Sequence, residues 1–161
     1  MVSPMEKDVP GVIAPPPLIF LAFLLAGIGA DAAWHLALFP SGSDQMPRWA
    51  GGGTLLALAM LIMASGVGGF RRAGTPVPTR RPTTALVISG AHGISRNPLY
   101  VSLFLFYAGF AVLANSIAAL VLLVPLALVI RYFVVAHEER YLERKFGDRY
   151  LDYKRRVPRW L

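Results

Sequence analysis

The sequence predicts an all-α integral membrane protein: four transmembrane helices, the last two a hairpin, followed by an amphipathic C-terminal helix. Three observations predict it. Of the 161 residues, 55% are hydrophobic and only 16% charged, whereas an ordinary soluble domain is about a quarter charged. A single soluble core of this size would not hide so much apolar surface. The apolar residues are gathered into long runs, and the basic residues fall almost entirely on one side of them.

The first run, 18–39, has 22 residues and would rise about 33 Å as a helix, enough to cross a bilayer core. Pro15, Pro16 and Pro17 stiffen its entry, and Pro40 with Ser41-Gly42-Ser43 ends it. Ala30-Asp31-Ala32 resembles a signal-peptide cleavage site, but Glu6, Lys7 and Asp8 do not make a basic leader and the run continues to Phe39. It is therefore expected to be a retained span. The second run, 49–70, closes on Arg71-Arg72. Leu99 to Val135 is almost uninterrupted; as one helix it would measure about 55 Å, too long for one crossing. Asn115-Ser116 breaks it into a hairpin of spans 99–114 and 117–136.

Charge decides the count and the orientation. Four spans put the N-terminal segment 1–17, the loop 71–98 and the tail 137–161 on one side, with 14 of the 16 Lys and Arg residues; Arg131, in the last turns of the fourth span, makes 15, and Arg48 alone is opposite. That side is expected to be cytoplasmic. Leu142, Phe146, Tyr150, Tyr153 and Val157 form one helical stripe in the tail. Gly147 is its weak point. Such a helix lies on the headgroups or folds back over the span ends. The net charge of +7 suits anionic lipid or an anionic ligand, and nucleic acid is not an expected partner. With no cysteine and three dispersed histidines, no metal site is expected. The whole chain reads as one membrane domain.

Polar residues at the span ends are where chemistry is expected. Asp31 and His35 share a helix face and read as a partly hydrated interfacial pair rather than a proton relay. Gly51-Gly52-Gly53 lacks the strand a phosphate loop requires and reads as a close-packing surface. Arg96 precedes Asn97-Pro98 at the start of the third span, beside the positive end of a helix. It is placed either to bind a carboxylate or phosphate or to snorkel into headgroups. Glu138 and Glu139 stand where the fourth span reaches the same face, so an arginine and a carboxylate meet there, a pairing suited to a zwitterionic amino-acid group. Their alternative is a structural ion-pair network with Arg96, Arg131 or Arg140.

RNPLY at 96–100, a hairpin, and then EERYLERKFGDRYLDYKRRVPRW at 138–160 resemble the isoprenylcysteine carboxyl methyltransferases and the wider group that includes phospholipid methyltransferases. The resemblance covers 71–160. It implies methyl transfer from S-adenosylmethionine to a lipidic substrate at the cytoplasmic face, a membrane lipid or lipidated molecule being the partner. Cofactor contacts implied by it fall on Thr84, Ala85, Leu86, Val87, His92, Asn97, Pro98, Leu99, Tyr100 and Glu138; Arg96 and Glu139 join them on the reading of the residues themselves. His92 stands where the family usually has tyrosine, and Asn97 where the eukaryotic prenylcysteine enzymes have histidine. Where those enzymes carry a substrate arginine this chain has Val134, with Arg131 one turn earlier as a substitute.

In-line displacement at a sulfonium needs alignment and exclusion of water above all, with aromatic faces such as Tyr100 to attract the positive sulfur. Arg96, Glu138 and Arg131 are therefore positioning candidates, and no residue is assigned as catalytic. A carboxylate acceptor, the favoured one, needs no base. A phospholipid amine or small thiol would have to lose a proton, to His92 or His137. Rival readings are an NADPH-dependent reductase, whose sterol-reducing members carry a similar R-x-P-x-Y segment, and a non-enzymatic lipid anchor. Composition points to a bacterial inner membrane and leaves the oligomeric state open.

Overall fold

The computed structural model describes residues 14–77 and 82–161. Lys7, Arg80 and Arg81 of the charge distribution lie outside them. Among the described residues the regular structure is helical: α1 (Pro16–Trp34), α2 (Met46–Arg72), a short 3-10 turn (Gly90–Gly93), α3 (Pro98–Leu113), α4 (Ile117–Val129), a π-helical segment (Ile130–Val135), α5 (Ala136–Phe146) and α6 (Asp148–Arg156). Three helices are long and apolar enough to cross a membrane: α1, α2 and the continuous run Ile117–Phe146. The chain is a multi-pass membrane protein, with α3 as a shorter apolar helix.

Boundaries depart from expectation for local reasons. The first helix stops at Trp34 rather than Phe39 because His35 turns left-handed (φ 54°) and closes it. Leu38 and Phe39 then bind Asn115: the Leu38 amide donates to its carbonyl, and the Phe39 amide donates to its side chain at 2.7 Å. The second helix starts three residues early, at Met46, whose amide donates to the Asp44 carboxylate (2.9 Å), with Pro47 suited to the first turn.

The hairpin turns where expected. Asn115 is left-handed (φ 60°), a conformation asparagine tolerates, and the Ser116 hydroxyl caps α4 by accepting from the Ala119 amide (3.1 Å). Asp31 differs from its reading as half of an interfacial pair with exposed His35. It is buried and accepts from the Ser116 hydroxyl and the Ala118 amide (3.1 Å), so one helix supplies the N-terminal cap of another.

Helix α1 packs along α4, and α2 along α3. Gly52 admits Leu113 and the Gly109 carbonyl, whereas Gly51 and Gly53 face open space, so one glycine of the triplet performs the packing expected of all three. The 16 residues of α3 rise only about 24 Å against about 40 Å for the 27 of α2. Gly66 touches Leu99 near the start of α3, and Gly69, further along α2, already meets Val87 and His92 of the loop. The last turn of α2 therefore faces the loop, not a helix, and this leaves room for a cavity.

The tail is not one helix. It continues α4 through the π segment and breaks at Gly147, whose φ 53°, ψ −131° is glycine's territory. Beyond that break α6 folds back. The stripe of Leu142, Phe146, Tyr150, Tyr153 and Val157 closes on Leu86 of the loop rather than on headgroups.

Candidate functional site

A cavity of about 300 Å³ lies under α5 and α6, at the start of α3 and beside the basic end of α2. It is at the small end of the range for ligand sites. Met63, Val67 and Phe70 of α2 and Leu99 and Leu103 of α3 make one side; Pro16 and Pro17 at the head of α1 complete it. Leu142, Tyr150 and Tyr153 form the opposite wall. Polar groups reach in from Thr83, His92, Arg96, Asn97, Tyr100 and Glu138.

Of the twelve residues singled out for cofactor contact, nine line this cavity: Ala85, Val87, His92, Arg96, Asn97, Pro98, Leu99, Tyr100 and Glu138. Thr84 and Leu86 do not. The segment alternates, as extended chain does: Thr83, Ala85 and Val87 face inward, while Thr84 is exposed and Leu86 packs against the tyrosines of α6. Thr75 anchors the segment, its hydroxyl accepting from the Thr84 amide (2.8 Å) and lying 3.0 Å from the Thr83 hydroxyl.

The neighbouring carboxylates part company. Glu138 accepts a hydrogen bond from the Tyr100 hydroxyl (2.8 Å) inside the cavity. Glu139 turns to two arginines, pairing with Arg96 Nη1 at 2.9 Å and with both Nε (3.0 Å) and Nη2 (2.6 Å) of Arg159. The structural network that was one reading of both acids holds for Glu139. Two cations share the Glu139 carboxylate, so the cluster of Arg96, Arg159 and Glu139 carries a net positive charge. The Glu139 hydrogen bonds hold the Arg159 guanidinium above its ordinary range.

Arg96 does not snorkel: its side chain is 8% exposed. Nη1 also reaches the Tyr150 hydroxyl (3.4 Å), while Nε is buried without a partner. The backbone donors expected beside it are largely used. The Arg96 amide donates to Pro158 (2.9 Å), the Asn97 amide to the Ser95 hydroxyl (3.1 Å), and the Tyr100 and Val101 amides to the Asn97 carbonyl. An anion here would therefore depend on the guanidinium.

Arg131, a positioning candidate, lies outside the cavity lining, exposed with its guanidinium over the Tyr132 ring. Val134 is buried in the bundle core with Phe20, Tyr100 and Tyr107. The intervening π turn is what the sequence hid. Such insertions shift the phase of everything that follows and recur at functional sites; here Val134 and Val135 face the core, and Glu138 and Glu139 follow one turn on.

Phe70, Thr83, Tyr150 and Tyr153 were missed as site residues. Tyr150 and Tyr153 had a signal, the tail stripe, which admits a helix on the headgroups or one folded back over the span ends; the structure has it packed on the loop and the cavity. Burial pushes the Tyr150 hydroxyl up to about 12 and raises that of Tyr153, whose hydroxyl donates to the His92 carbonyl (2.6 Å). Both stay protonated near neutrality.

Burial lowers His92 to about 4, against about 6.5 for a free imidazole. The unfolded chain therefore takes up a proton on this histidine that the folded chain refuses. Stability from this source is present above pH ~6.5 and declines as pH falls toward ~4, by at most about 3 kcal/mol. In thermal melts of purified protein in detergent, a His92→Gln variant should lose less stability over that interval than the native chain. Parallel curves would contradict the burial of a neutral ring.

Residues 47–149 match the phospholipid methyltransferase family. An uncharacterised protein from Haemophilus influenzae is 47% identical over 64 residues, which is 39% of this chain and the full length of that relative. No solved structure matches. The match spans well over half the sequence and includes the start of α3, both carboxylates and the whole of α5: the chain belongs to the phospholipid methyltransferase family.

Proposed function

We propose that the protein is an S-adenosylmethionine-dependent methyltransferase that acts on an amine-bearing phospholipid at the cytoplasmic face of a bacterial inner membrane. In this reading α1, α2, α3 and α4 all cross, and the basic loop, the tail and the cavity lie inside by the distribution of positive charge. The observation that carries it is the pairing, in one cavity, of Arg96 with an unpartnered buried Nε and Glu138 with a hydroxyl partner, in a chain of this family. These groups suit the carboxylate and the ammonium of a methionine moiety.

S-Adenosylmethionine, when bound, supplies an electrophilic methyl group on a positively charged sulfur. The chain's own part is to bind, orient and exclude water. Phe70, Tyr100, Tyr150 and Tyr153 offer aromatic surface for a flat base and a cationic sulfur. His92, kept neutral, is a weak base and serves as a polar wall.

The acceptor class follows from charge. Among the described residues, Arg96 is the sole Lys or Arg in the cavity lining. A prenylcysteine-like carboxylate would need a second cation, and neither Val134 nor Arg131 provides one there. A headgroup amine needs none: it reacts as the neutral amine, having given its proton to water beforehand because His92 at about 4 does not take one, and Pro16, Pro17, Leu99 and Leu103 suit acyl chains.

The test is to add methyl-labelled S-adenosylmethionine to membranes containing the protein and to chromatograph the extracted lipid headgroups. Label in a phospholipid amine is expected. A base-labile label would mean an ester and a volatile label a thioether, either of which overturns the acceptor. No transfer to any lipid or small molecule overturns the enzyme.

A further inference from the structure

We propose that Arg159, together with the tail segment around it, is a positioning residue that keeps the Arg96 guanidinium available to an anion in the cavity; this rests on the cofactor reading above. The segment holds Arg96 at both ends. At the backbone, the Arg96 amide donates to the Pro158 carbonyl at 2.9 Å, and the Arg159 carbonyl accepts from Asn97 Nδ2 (3.0 Å) and the Ser95 hydroxyl (3.3 Å). Next along, Trp160 packs edge-on against Phe104 of α3, ring centroids 6.0 Å apart. At the side chain, the Arg159 fork occupies both oxygens of Glu139, so Arg96 reaches that carboxylate through Nη1 alone.

The consequence is electrostatic and geometric. Glu139 facing Arg96 alone would be free to take it in a two-pronged pair, the strongest geometry open to the two groups. That pair would neutralise the guanidinium and occupy the edge that bears its unpartnered Nε. Glu139 does not by itself neutralise Arg96, because Arg159 competes for the same carboxylate. Its own guanidinium is not part of the cavity lining, so it acts through Glu139.

The test compares two nucleosides by calorimetric titration of the purified full chain in detergent. S-Adenosylhomocysteine carries the amino-acid carboxylate; 5′-methylthioadenosine carries the same adenosine thioether without it. Arg159→Gln is expected to weaken S-adenosylhomocysteine about tenfold and to leave 5′-methylthioadenosine unchanged. Arg159→Lys, which keeps the charge but not the fork, should lose about threefold for the first ligand only, and it carries the same test where the glutamine variant does not fold. Equal losses for both ligands would mean a structural role, and no loss for either would mean none; each overturns the inference. A native protein that binds neither nucleoside overturns the cofactor reading itself, a failure visible before any variant is made.

Discussion

Replacing Arg96 by alanine is expected to weaken S-adenosylhomocysteine binding about 100-fold or more and to lower methyl transfer at least as far, with the protein still folded. Losing one partner of a buried, hydrogen-bonded charge pair costs about 2–5 kcal/mol, and about 3 kcal/mol corresponds to that factor. The fold should survive for a specific reason. Glu139 keeps both hydrogen bonds from Arg159, so no buried carboxylate is orphaned, and the backbone bond from residue 96 to Pro158 does not depend on the side chain. Titration and a melting curve on the same preparation check both halves. Unchanged affinity in a folded variant would remove Arg96 from the site.

The largest effect on stability is expected from Gly27→Val. A Cβ at residue 27 would run into the backbone of Ala119, 2.6 Å from its nitrogen and 2.7 Å from its Cβ. Ala119 has no freedom to retreat. It is fully buried, its amide is held by the Ser116 hydroxyl (3.1 Å), and its carbonyl accepts from Tyr107 (2.9 Å). Overpacking a core costs about 1–3 kcal/mol where neighbours yield. Here the neighbour is backbone tied at both ends, so about 3 kcal/mol or more is expected, or loss of folded protein on extraction. Gly29→Ala, two residues on in open space, should be neutral or slightly stabilising. Thermal melts in detergent distinguish the two, and a Gly27→Val protein as stable as the native chain would contradict the contact between α1 and α4.

What could be read from the residues was whatever broke a pattern. Asn115-Ser116 inside a long apolar run has little reason to be there except to turn it, and the structure turns it there with a left-handed asparagine and a serine cap. Arg96 and Glu138, charges at the edge of apolar segments, proved to line a common cavity. What stayed hidden left no break in the pattern. The π segment IRYFVV is apolar enough to satisfy any helical repeat, so its change of phase has no signature in composition. Asp31 lies four residues from His35, and that local spacing masked its real partners at Ser116 and Ala118, more than eighty residues away. Arg159 sits among Lys154, Arg155 and Arg156 and looks like one more solvated charge. Only the fold sets it on Glu139 while Arg155 pairs with neighbouring Asp152 at the surface.

The tyrosines of α6 fall between these cases. Their spacing was visible, and their partner stayed open between headgroups and the span ends, because an amphipathic stripe records that a face is covered without recording by what. The loop segment that covers it, with Leu86 turned toward the tyrosines and Ala85 and Val87 toward the cavity, could be assigned only once its extended course was known.

The central claim is that Arg96 and Glu138 hold the two ends of one methionine-derived molecule in this cavity. Its most direct test is titration of the purified native protein in detergent with S-adenosylhomocysteine and, separately, with NADPH. Saturable binding of the first at one site per chain, with no response to the second, is the expected result. Silence toward S-adenosylhomocysteine, or saturable binding of NADPH in its place, would contradict it.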